Sequence, residues 1–178
     1  MEAVYRPELW HDLFEMIGAS AGALVGLLFV VVTLHFDKIN ERTDANMRAT
    51  MEGARYNMFH LLTVMVEAAV ILTPQPLLFA GMELIVINLF GLRLPLTIIY
   101  KYFNKNLTIS HRGGFPTALI ATIIVAYVLG ASGGAVLAHY PALGMYMVSV
   151  SCVAKLVRSV LTAWMLMFGV SHAQATKQ

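Results

Sequence analysis

Apolar residues in this chain come in long blocks, with the polar residues gathered between them. The first block, Ile17 to Leu34 (IGASAGALVGLLFVVVTL), runs eighteen residues without a charge. With its flanks it is long enough to cross a bilayer as a helix, at about 1.5 Å per residue. Four more blocks follow, and the breaks carry turn chemistry: Thr73-Pro74-Gln75-Pro76, Gly113-Gly114 ahead of Pro116, and Tyr140-Pro141. Proline cannot continue a preceding helix but can open the next, so each break ends one helix and starts another. The pattern predicts an all-α integral membrane bundle of five transmembrane helices, over about residues 9–36, 44–73, 77–102, 116–139 and 142–170. They form a single transmembrane domain (1–170), followed by a disordered tail (171–178). Helix 2 should start ahead of the membrane, where Thr43 or Asp44 can cap it and Asp44, Arg48 and Glu52 stand four residues apart. Helix 3 contains Pro95, which should kink it.

Small residues add a second pattern. Gly18, Gly22 and Gly26 recur every four residues among Ala19, Ser20, Ala21 and Ala23, which predicts a shallow groove for close helix packing. Gly130 and Gly134 repeat the spacing, and GASAGALV (18–25) nearly matches GASGGAVL (130–137). The two copies lie in helices of opposite sense, as in inverted-repeat transporters, although their flanks differ. Short-looped helices with two such seams suggest a homo-oligomer packed along Gly18, Gly22 and Gly26 or along Gly130 and Gly134.

Composition places the chain firmly in the membrane class. Hydrophobic residues make up 58% and charged residues only 12%, with a mean hydropathy of +0.71, against about 25% charged in a soluble domain. A net charge of +2 makes no case for nucleic acid. Residues 1–16 hold one arginine, four acids and no apolar signal region, so the first helix is expected to be retained. Tyr5, Trp10 and Phe14 there suit the headgroup level. Lys38, Arg42 and Arg48 follow helix 1, and Lys101, Lys105 and Arg112 follow helix 3, whereas the breaks after helices 2 and 4 carry no Lys or Arg. The positive-inside rule then puts the N-terminus outside and the C-terminus in the cytoplasm of a cell inner (plasma) membrane.

Charges within hydrocarbon are costly and mark candidate sites. Counted along the helices, Glu67 and Glu83 each lie about 9 Å below the outer membrane face. Glu15 and His139 belong to the same half, while His60, Asn88, Arg93, Lys155 and Arg158 lie further in. An acidic outer layer above a basic inner one is expected. Three arrangements fit: internal pairing of Lys155 or Arg158 with Glu67 or Glu83; rings of glutamate around an oligomeric pore; or a proton or ion relay within each subunit. The ion-path candidates are Glu67, Glu83, His60, Asn88, Lys155 and Arg158. His11 and Glu15 share a helix face beside Asp12, and with His139 could make an external metal site. The single cysteine, Cys152, reads as a small buried hydrophobe. Ser149, Ser151 and Ser159 stand near Lys155, but hydroxyls in helices usually bond back to their own backbone. The chain has no HExxH, GxSxG, GxGxxG or P-loop, so no enzyme and no cofactor are expected.

One resemblance bears on function. Trp10, the run Gly18-Ala19-Ser20-Ala21-Gly22-Ala23-Leu24 and the run Gly26-Leu27-Leu28-Phe29-Val30 resemble the opening of small uncharacterised bacterial polytopic membrane proteins. Some of these are labelled as modulators of a membrane protease. Leu72-Thr73-Pro74 adds a weaker echo. The resemblance implies an accessory role and brings no catalytic residues with it. The residues themselves favour a small homo-oligomeric ion channel or transporter, with a non-catalytic scaffold binding a membrane partner as the alternative.

Overall fold

The computed structural model describes residues 7–40, 45–104 and 117–175, and the side-chain surroundings of most residues between 10 and 164. All of its regular structure is helical: α1 (Pro7–Asn40), α2 (Ala45–Leu72), α3 (Leu77–Asn104), α4 (Thr117–Leu137) and α5 (Pro141–Ala175). Each contains a segment long and apolar enough to span a membrane. The turn chemistry acts locally as its residue types require. Pro7 and Pro141 occupy first helical positions, where the missing N–H costs nothing. The Pro76 carbonyl receives the first amides of α3, from Phe79 and Ala80. Gln75 Nε2 covers the open end of α2 by donating to the Val70 carbonyl at 3.2 Å. Helix α3 continues through Pro95, which is buried.

Two expected boundaries need correction. Helix α4 stops at Leu137, and a turn through His139 and Tyr140 follows, both amides reaching the Val136 carbonyl, with helical backbone disfavoured at Tyr140 ahead of Pro141. Helix α5 runs to Ala175, so residues 171–175 of the expected disordered tail are helical, consistent with the good helix formers Ala173, Gln174 and Ala175. The expected cap at Thr43 or Asp44, the Asp44–Arg48–Glu52 side-chain pairs and the loop with Lys105 and Arg112 lie outside the described residues.

Helices α2, α3, α4 and α5 form a closed four-helix core, each packed on the next and α5 returning to α2. Helix α1 lies outside it, against α2 and, less extensively, α5. Its buried stripe is Phe14, Ile17, Ala21 and Leu28, at the spacing of one helical face. Trp10, near its N-terminal end, meets Tyr146 edge-on with ring centroids 4.8 Å apart.

The glycines divide by role. A Cβ on Gly18 would come within 3.2 Å of Ala68, one on Gly22 would only touch Met65, and Gly26 faces open space. The expected single seam is therefore corrected. Residues four apart advance about 40° past a full turn at each step, so the row rotates off the α2 contact before Gly26. Gly130 and Gly134 are buried inside the subunit and unavailable to a second copy. Gly134 and Gly81 face each other so closely that a Cβ on either would strike the other's carbonyl oxygen. The similar strings 18–25 and 130–137 thus occupy different environments: one lies on the outer helix, the other inside the core.

Candidate functional site

Two polar stripes face each other across the bundle. On α2, Asn57, His60, Thr63 and Glu67 are spaced three, three and four residues apart and all are buried. On α5, Cys152, Lys155, Ser159 and Thr162 repeat that periodicity, with Arg158 beside them, and these too are buried. Since α2 and α5 run in opposite directions, Glu67 meets the Cys152–Lys155 end and Asn57 meets Ser159. Helices α3 and α4 complete the centre with Asn88 and Tyr127, both buried.

Glu67 and Lys155, each 0% exposed, form an ion pair with Nζ 2.5 Å from Oε1. Lys155 also donates to Asn88 Oδ1 at 2.8 Å, and its ammonium lies 4.4 Å from the centroid of the Tyr127 ring. Its three N–H bonds thus have a carboxylate, an amide oxygen and a π face to address. The other oxygen of Glu67, Oε2, accepts from the Cys152 thiol at 3.0 Å. Asn88 is held by its own helix, Nδ2 donating to the Leu84 carbonyl at 2.8 Å. A Cβ on Gly130 would fall on Asn88 Oδ1, so that glycine lets Asn88 lie flat under Lys155. Beside Lys155, towards the N-terminal end of α2, His60 Nδ1 and the Tyr127 hydroxyl share a hydrogen bond of 2.7 Å. Arg158 lies close enough for its charge to act on both. Nearer the N-terminal end of α2, Asn57 Nδ2 donates to the Ser159 carbonyl at 3.0 Å.

Of the residues singled out from sequence, His60, Glu67, Asn88, Lys155 and Arg158 come together. Glu83 does not. It is exposed on α3, where Gln75 Nε2 donates to its Oε2 at 3.0 Å and draws the carboxylate toward the α2–α3 turn. Arg93 is exposed over the Phe90 ring. The expected acidic and basic layers are therefore replaced by a single level at which Glu67 and Lys155 meet. The carboxylate accepts its hydrogen bonds from α5, and the low dielectric of the core draws opposite charges together. His11, Asp12 and Glu15 cluster within 4.8 Å on α1, all exposed, and His139 lies outside that cluster. The neighbouring serines do not engage Lys155: Ser149 bonds back to Tyr146, and Ser151 donates across to the Ala126 carbonyl at 2.7 Å. Two members of the centre, Asn57 and Tyr127, went unread in the sequence, while Cys152 was read only as a buried hydrophobe and Ser159 only as a hydroxyl bonded to its own helix. The 3-3-4 polar spacing on α2 was the signal for Asn57; a lone Tyr or Cys in an apolar run gives none.

Chemically, the centre is a set of proton-exchanging groups. Cys152, Glu67 and Lys155 are linked by hydrogen bonds, as are His60 and Tyr127, and the Lys155 ammonium on the Tyr127 ring joins the two groups. No protein-family model, curated protein or solved structure matches this chain.

Proposed function

We propose that this chain carries protons across a membrane through the interior of each subunit, with Glu67 and Lys155 as the exchanging pair. The observation that supports this reading most is a wholly buried carboxylate in contact with a wholly buried ammonium where four helices meet. Charges placed in hydrocarbon are costly, and their default reading is functional. In low dielectric an ion pair loses much of its advantage over the neutral acid and amine. A proton can then pass from Lys155 Nζ to Glu67 Oε1, leaving an amine and a carboxylic acid, and return. The same geometry disfavours metal cations, which want about six oxygen ligands: Glu67 has both oxygens engaged by side-chain donors. The step from Lys155 to Tyr127 and His60 requires the lysine stem to swing from the ring face toward the hydroxyl, which makes it the gated step of the route.

The test is proton flux into proteoliposomes loaded with a pH-sensitive dye. Wild type should conduct, and Glu67→Gln should lower the rate by about tenfold or more. Glu83→Gln should leave it within about twofold, since a carboxylate outside the relay transfers no proton. Absence of flux at every voltage and pH would move the assignment to an accessory role.

The outer helix presents a separate surface. The small residues Ala19, Ser20, Ala23 and Gly26 are exposed on α1, the helix that contributes nothing to the polar centre. Such a face suits close approach by another membrane helix. We read it as the contact of a homo-oligomer, in a plasma membrane with the N-terminus outside and the C-terminus in the cytoplasm. Gly26→Leu has open space around it, so the subunit should keep its thermal midpoint while the assembly loses mass by light scattering. An unchanged mass would remove α1 from the contact.

A further inference from the structure

Where the polar route ends on the inner side, two buried atoms are left without partners. Asn57 Oδ1 and Ser159 Oγ have no hydrogen bond among the described residues, and each side chain is about 2% exposed. They belong to opposed helices already joined at this level by the Asn57 Nδ2–Ser159 carbonyl bond. Neither atom is left over from a crowded network. Asn57 spends its Nδ2 on the Ser159 carbonyl, so its oxygen, at the same level as Ser159, keeps two lone pairs to fill. Native proteins seldom leave such groups bare, and where two to four polar atoms converge an ordered water completes them.

The place is as telling as the atoms. Arg55, exposed on α2, is the last charged residue before its apolar run, so Asn57 lies only about 3 Å along the axis from that end. His60, the next member of the stripe, is one turn beyond, about 4.5 Å further. A water held here stands about one turn from the His60–Tyr127 bond and within about one turn of the end of the apolar run of α2. We propose that Asn57 Oδ1 and Ser159 Oγ hold an ordered water that serves as the inner mouth of the proton route. The role of mouth rests on the proton-carrying reading; the presence of the water does not.

Hydration is measured on the full-length protein in lipid bilayers, by water-edited solid-state NMR on the asparagine side-chain amides. Asn88, equally buried but with its oxygen taken by Lys155, is the dry internal reference. The Asn57 amide should gain magnetisation from water several-fold faster than that of Asn88. Equal rates would overturn the site. Ser159→Ala favours helix and removes one of the two partners, so it should slow both the Asn57 transfer and the proton flux several-fold. Flux unchanged in Ser159→Ala would overturn the mouth while leaving Glu67 and Lys155 as the pair. A wet Asn57 in a protein that carries no protons would instead retire the transport reading and keep the water.

Discussion

Glu67→Ala should be among the most damaging single substitutions in the protein, costing about 3–5 kcal/mol. The loss comes less from the missing attraction than from what remains: Lys155, wholly buried, facing a cavity with only Asn88 and the Tyr127 ring for company. Lys155→Ala should cost a similar amount by stranding the carboxylate. The double variant Glu67→Leu with Lys155→Met removes both charges and refills the volume, and such replacements are often neutral or stabilising. It should therefore recover most of the thermal stability in detergent while carrying no protons. Recovered stability without flux separates a functional pair from a mere staple. A double variant that still conducts would show that the pair only holds helices together.

Gly91→Ala is the second large effect, on the opposite side of the centre. A Cβ on Gly91 would overlap the Tyr127 ring outright, and that ring is 0% exposed, lies under Lys155 and carries the hydroxyl that bonds His60. An aromatic ring cannot fold out of the way as a flexible chain end does, so α3 and α4 must separate. Overpacking of this kind costs about 1–3 kcal/mol, and the rigid ring places this case at the upper end. Thermal scans should show a loss well beyond that of Gly22→Ala, whose new methyl would meet only the mobile end of Met65. Equal midpoints for the two would mean the helices are looser here than the contacts imply.

The bundle itself was written plainly in the sequence because a membrane asks for a coarse signal: apolar length, interrupted by proline-bearing turns. The charged members of the centre were legible for the same reason, since an ionised group at depth stands out against its surroundings. What could not be read was rotation. Glu67 and Glu83 sit at similar depth on consecutive helices, yet one is in the core and the other on the surface. The apolar residues surround α3 on all sides, so nothing in its composition marks which face turns inward. Gln75, waiting in the turn to bind Glu83, is a partner that only folding brings within reach. Tyr127 and Cys152 were hidden differently. Each is ordinary in an apolar helix, and each acquires its role from a neighbour contributed by a distant segment. The glycines misled by the arithmetic of the helix: a four-residue repeat looks like a straight groove on paper but winds around the rod.

The two members of the ion pair are 88 residues apart in the chain, and this sets the order in which the protein can be made. Emerging from the ribosome, α2 enters the lipid carrying a carboxylate whose partner has not yet been synthesised. Helices α3 and α4 bring Asn88 and Tyr127, which can receive a cation but not supply one. Only with the arrival of α5 does the carboxylate find its lysine, so the last helix closes the bundle around a group that the first half of the chain left waiting.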